Sequence, residues 1–189
     1  VIAFPSVDDC QRVQSAWFRE VAATSGGASW NDAGLEWVAM PADRSLMLIF
    51  PGHLDGAAVE RGVDYAAARG WIIGAWLPLE MEAGALIDYG FTRGWEPWWM
   101  GIDLEHVGAH SDPRVRREVL TDYSSDASAA GKLVLARESP DSAWHAVARE
   151  GGEIVGHAWS HRSRPGTVAG IFDMAVWGRR RTGLGSALL

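Results

Sequence analysis

Apolar residues recur at helical spacing over residues 7–23, where VDDCQRVQSAWFREVAA sets Val13, Ala16, Trp17 and Val21 on one stripe behind an acidic start. That pattern predicts an amphipathic helix. After a break rich in Gly, Ser and Asn it changes to short apolar runs, LEWVAM (35–40) and SLMLIF (45–50), which suit strands. DGAAVERGVDYAAARG (55–70) returns to helical periodicity and closes at Gly70, WIIGAWLPL (71–79) reads as a strand, MEAGALIDYGF (81–91) as a short helix ending near Gly90, and EPWWMGIDL (96–104) as a strand. Strand, strand, helix, strand, helix, strand is an α/β order.

The polar stretch EHVGAHSDP (105–113) interrupts the pattern, and Pro113 makes it a boundary, so two domains are expected, 1–110 and 111–189. Beyond it, REVLTDY (117–123) has strand character and SSDASAAGKLVLARES (124–139) helical character. WHAVARE (144–150), EIVGHAWSH (153–161) and TVAGIFDMAV (167–176) then predict three consecutive strands, the first two joined by a turn at Gly151-Gly152. A basic, glycine-containing loop follows and leads into the helical SALL. The whole is an α/β pattern.

Composition narrows the class. Hydrophobic residues make up 48% of the 189, and no apolar run reaches the roughly 18 residues of a membrane span, which implies a soluble globular chain with no membrane partner. The single Cys10 leaves no internal disulfide and no multi-cysteine metal site, and a reducing, cytoplasmic setting is the default expectation. Net charge is −7 and unevenly spread: residues 1–110 hold six basic against fifteen acidic side chains, residues 111–189 eleven against nine. An acidic whole argues against nucleic acid, while Arg179, Arg180 and Arg181 could serve one small anionic ligand. Val1 in place of Met and an end inside a helical pattern suggest part of a longer reading frame.

The chemistry concentrates in FDMAVWGRRRTGLGSALL (172–189), a strand passing through a basic loop to a helix start. The first helical N–H groups lack intrahelical partners and the helix dipole adds positive charge there, so the turn suits an anion. At Gly183 and Gly185 the missing Cβ lets a diphosphate approach the backbone. Neither GxxxxGK[ST] nor a full dinucleotide fingerprint is present. The stretch Arg180-Arg181-Thr182-Gly183-Leu184-Gly185 resembles the [Q/R]-x-x-G-x-[G/A] acetyl-CoA motif of the GNAT superfamily of N-acetyltransferases, and the preceding antiparallel strands extend that resemblance over about residues 144–189.

The resemblance implies an α/β (α+β) fold, a mixed, mostly antiparallel GNAT-like sheet flanked by helices, with acetyl-CoA as cosubstrate. Backbone amides from Thr182 through Gly183, Leu184 and Gly185 to Ser186, with Arg180 and Arg181, would hold the pyrophosphate, and Met174, Ala175 and Val176 would offer strand-edge backbone to pantetheine. One departure is that Val176 to Gly183 is a step shorter than members commonly have, with Gly178 at a position often held by Pro. From SLMLIF onward the first half repeats the element order of the second half of such a domain, but its loop reads FPGHLDGAAVER without the motif. A duplicated architecture with a degenerate first copy is therefore expected, with no anion-shaped turn at Gly52–Gly56.

Acetyl transfer to an amine needs a base for the amine and a donor for the carbonyl. Asp173 and His157 are the candidate catalytic residues, with His161 also on a flanking strand. If the strand is regular, Asp173 shares a face with Ile171 and Ala175. His145, His157 and His161, twelve and four residues apart, match no short metal-ligand motif, and no metal is assigned. The expected activity is an N-acetyltransferase acting by direct attack of an amine whose identity is open; the alternative is a non-catalytic ligand-binding or scaffold protein of the same fold. With so little helix after the motif, residues 182–189 are expected to fray, the strand 167–176 to expose an apolar face, and the chain as given not to turn over.

Overall fold

The computed structural model describes residues 4–94, 96, 99, 101, 111–119, 127–163, 168–177 and 183–188. Helix α1 spans Val7–Thr24. Ser6 Oγ accepts from the Asp9 N–H and the Asp9 carboxylate accepts from the Ser6 N–H, each at 3.1 Å. This reciprocal capping box satisfies two donors that a helix start leaves unpaired. The acidic start thus answers a serine cap from the third helical position rather than capping the helix itself.

The chain forms two compact units, one of residues 18–98 with 125–132, the other of residues 1–17, 99–124 and 133–189. In the first, β1 (Ala28–Asp32), β2 (Leu35–Met40), β3 (Ser45–Ile49) and β4 (Ile72–Trp76) form a sheet in that order. The first two pairings are antiparallel and β3–β4 is parallel. A parallel neighbour requires a crossover, which α2 (Gly56–Ala67) supplies. Strand β1 lies in the stretch whose composition predicts only a break. Its ASWND sequence has no buried residue, and pairing with β2 makes it a strand.

Strand β2 reads as an apolar run because both of its faces are covered. Leu35, Trp37, Ala39, Leu46 and Leu48 pack with Ala58, Val59 and Ala66 of α2. The opposite face sets Val38, Met40 and Ile49 against Ala22 and Phe18 of α1. Each fully buried large side chain contributes roughly 1.5–3 kcal/mol. Short helix α3 (Gly84–Ile87) follows β4. The strand expected over 96–104 lies for the most part outside the described residues.

In the second unit β5 (Val115–Arg117), β6 (Ala143–Glu150), β7 (Glu153–Arg162) and β8 (Ala169–Val176) form a sheet in chain order, antiparallel throughout. Strand β5 begins upstream of the expected 117–123, because Val115 faces Ala148 and packs in the core there, and Arg114 is held by Asp112 and Glu150. Helix α4 (Ala127–Glu138) falls where helical periodicity places it. Gly151 and Gly152, with φ of +60° and +90°, make the β6–β7 turn, a conformation side chains disfavour.

Helix α5 spans Leu184–Leu188, correcting the expectation of a frayed end over its described part. Leu184 and Leu188, four residues apart, fall on one face and bury against Ala148 and Ala158. Packing rather than propensity holds the short helix. The architecture is thus mixed α+β: two mostly antiparallel sheets flanked by helices.

A Cβ built on Gly62 of α2 would stand 2.4 Å from Cζ2 of the fully buried Trp37. Gly→Ala within a helix ordinarily stabilises by roughly 0.5–1 kcal/mol, and overpacking costs about 1–3 kcal/mol. The overpacking exceeds the gain, so Gly62→Ala is expected to lower stability in urea denaturation by about 1–2 kcal/mol, while Gly56→Ala, whose added Cβ meets nothing within 4 Å, is expected to raise it by up to about 1 kcal/mol.

Candidate functional site

Strand β8 is not regular. On β7, His157 pairs with Ala175 and Trp159 with Phe172, so Asp173 and Met174 together oppose Ala158. Asp173 carries the distortion at φ +50°. This is a β-bulge whose first residue takes the left-handed conformation, tolerated better by Asp than by most side chains. The expectation that Asp173 alternates regularly with Ile171 and Ala175 is therefore corrected. Bulges bend a strand and leave the extra residue outside the ladder, and this one separates the Ile171–Phe172 half of β8 from Met174, Ala175 and Val176. Ile171, Met174, Val176 and the following Trp177 are 40–45% exposed, as the apolar-face expectation holds.

The face of the sheet opposite α5 carries a continuous series of rings. Trp17 of α1 stacks on Phe172 with centroids 4.9 Å apart and planes at 6°, and lies 6.4 Å from Trp159 and 5.8 Å from His161. Trp159 stacks on His145 at 3.9 Å and 9°. His145 in turn meets His157 edge to face, and His157 meets Trp177 likewise at 5.3 Å. His145 Nε2 stands 3.4 Å from His157 Nδ1. His145 and His161 are fully buried, whereas His157 is half-buried beside the bulged strand.

Beyond Trp177, Gly183 takes φ +80° at the entrance to α5. A Cβ built on Gly183 or Gly185 would meet nothing within 4 Å, so internal packing does not account for either glycine. Leu184 is buried, Gly185 half-buried and Ser186 exposed. Arg180, Arg181 and Thr182 lie outside the described residues.

The turn between β3 and α2 in the first unit is closed by a side chain. Asp55 caps α2, its carboxylate accepting from the Ala58 N–H at 2.8 Å. The Asp55 side chain thus occupies the helix entrance and satisfies a donor that a helix start leaves unpaired.

The structure brings His157, Asp173, Met174, Ala175 and Val176 to one end of the β7–β8 pair. His145 is the residue that pattern reading overlooks as a partner of His157. The two are diagonal neighbours on one face, because His145 pairs with Trp159 and Val147 with His157. Among the described residues no group of three His, Cys, Asp or Glu is placed to hold a metal, and no helix is long and apolar enough to cross a membrane. Cys10 sits half-buried on α1, where burial pushes its thiol pKa up and keeps it from being a thiolate nucleophile at neutral pH.

No family model and no curated protein matches this sequence. Among solved structures, a GCN5-related N-acetyltransferase from Kribbella flavida matches with a TM-score of 0.60 at 18% sequence identity, over 94% of this chain and 77% of that one. The two proteins share a fold. At that coverage the likeness to the N-acetyltransferase runs through both units, and at that identity it is a likeness of architecture.

Support for the ring-bearing face comes from the other edge of the sheet. The Glu118 N–H donates to the His145 carbonyl at 3.0 Å, and its carboxylate accepts from Arg149 Nε and Nη2. Hydrogen bonds from Arg149 hold the Glu118 pKa below the ordinary carboxylate range. A lowered folded-state pKa contributes stability above the unfolded value near 4.3, lost as pH falls through the folded value. Both side chains are partly exposed, so Glu118→Gln is expected to cost up to about 1 kcal/mol at pH 7 and to make the acid side of a stability–pH curve shallower.

Proposed function

We propose that this chain is an acyltransferase of the N-acetyltransferase type, moving an acetyl group from acetyl-CoA to an amine by direct attack. The observation that carries the reading is a bulged, half-exposed strand β8 followed by two glycines that packing does not require at the start of α5. In this reading the backbone of Met174, Ala175 and Val176 lies along the pantetheine. The amides from Thr182 to Ser186 and the guanidinium groups of Arg180 and Arg181 hold the pyrophosphate. Acetyl-CoA, when bound, supplies an acetyl group activated as a thioester.

The remaining work falls to side chains of β7 and β8. His157, opposite Ala175, takes the proton from the attacking amine at a ring nitrogen, a task that imidazole suits near neutral pH; as the C–N bond forms the C–S bond breaks, and coenzyme A leaves as a thiolate that takes a proton from water. Asp173, in the bulge itself, is the other candidate base. A backbone N–H released by the bulge donates to the acetyl carbonyl oxygen. The domain 1–110 is read as a second copy of the fold that has lost the coenzyme turn. Its support is the β3–α2–β4 parallel crossover together with the Asp55 carboxylate at the helix entrance.

Calorimetric titration with acetyl-CoA tests the assignment. The wild-type chain is expected to bind, and Gly183→Asp to abolish binding, since it sets a charged side chain where the diphosphate approaches and strains a backbone at φ +80°. Arg180→Ala should weaken binding by roughly tenfold at low salt, about 1.4 kcal/mol, and less as salt is raised. Equal affinity in wild type and Gly183→Asp would remove the coenzyme site from this loop. No binding by wild type would favour a non-catalytic scaffold of the same fold.

A further inference from the structure

We propose that His145 is a positioning residue that sets the tautomer of His157. Two imidazoles facing one another through Nε2 of His145 and Nδ1 of His157 at 3.4 Å share one hydrogen, and only one arrangement leaves His157 useful as a base. When His157 donates its Nδ1–H to His145 Nε2, the lone pair stands on His157 Nε2, which can take a proton. In the reverse arrangement Nε2 of His157 already bears hydrogen.

Two features fix the contact, and a third makes the productive arrangement the useful one. The register makes His145 and His157 diagonal neighbours, so the contact is built into the sheet. His145 is fully buried and its ring is clamped flat against Trp159 at 3.9 Å and 9°, which fixes where its Nε2 stands. An imidazolium formed on His157 keeps its Nδ1–H directed at a neutral acceptor, and that bond favours the charged form. Trp177 bounds the other side of His157 with its ring edge-on. The purpose of this arrangement rests on the acyl-transfer reading; its geometry does not.

The test reads ring nitrogens of the full chain by long-range ¹⁵N–¹H correlation at a pH where both rings are neutral. In wild type the Nδ1 resonance of His157 is expected in the protonated, pyrrole-type region. His145→Phe keeps a ring against Trp159 and removes the acceptor, so the His157 Nδ1 signal should move to the unprotonated, pyridine-type region. His145→Gln, whose side-chain carbonyl can accept, should restore it. A wild-type His157 carrying hydrogen on Nε2, or a tautomer unchanged in His145→Phe, overturns the proposal. If His145→Phe does not fold, the wild-type tautomer and His145→Gln decide. Because no coenzyme is present in these spectra, failure of acetyl-CoA binding in calorimetry with the tautomer pattern intact counts against the acyl-transfer reading alone.

Discussion

One extra residue in β7 decides which side chains of the second unit face which way. Arg149 pairs with Ile154 but Ala148 pairs with Gly156, leaving Val155 without a counterpart in β6. Had the register set at the Gly151-Gly152 turn continued, His145 would have stood opposite Ala158 and on the face away from His157. A shift of one residue reverses the face of everything beyond it. The bulge therefore puts His145 and Val147 with His157, Trp159 and His161, and leaves Ala146, Ala148 and Ala158 on the side that receives α5.

The two faces are consequently built from different materials. The α5 side is paved with small residues, and at Gly156 an added Cβ would lie 3.0 Å from the Ala175 carbonyl oxygen and 3.3 Å from a Leu188 methyl. That closeness lets a helix of one and a half turns seat on the sheet. The other side is filled with large flat rings in stacked and edge-on contact, arrangements that orient side chains as well as burying them. At Asp173 the second bulge adds a kink to β8, so the rigid ring face and the exposed part of the strand meet at His157 and Ala175.

Most elements were legible because their patterns are local. The stripe through Val13, Ala16, Trp17 and Val21, the apolar runs of β2 and β3, and the glycine pair of the β6–β7 turn each carry their own signal. Strand β1 was not legible, since ASWND owes its conformation to a neighbour. Both bulges were nearly hidden: neither Val155 nor Asp173 is a glycine, and the hint beside the first is Gly156, which a strand interior disfavours. With the register concealed, the meeting of His145 and His157 was concealed too, although all three histidines could be noted as a group. The short α5 was misjudged because helix propensity weighs an isolated segment, whereas Leu184 and Leu188 find a prepared surface.

The cap on α2 has a thermodynamic consequence. A helix entrance satisfied by a ligand makes folding stability a function of ligand concentration, rising as RT ln(1 + [L]/Kd). At the entrance of α2 the donor at Ala58 is met by Asp55, a group tethered to the same chain and present at constant effective concentration. This cap therefore contributes the same stability at any ligand concentration, and the β3–α2–β4 segment draws on it without one.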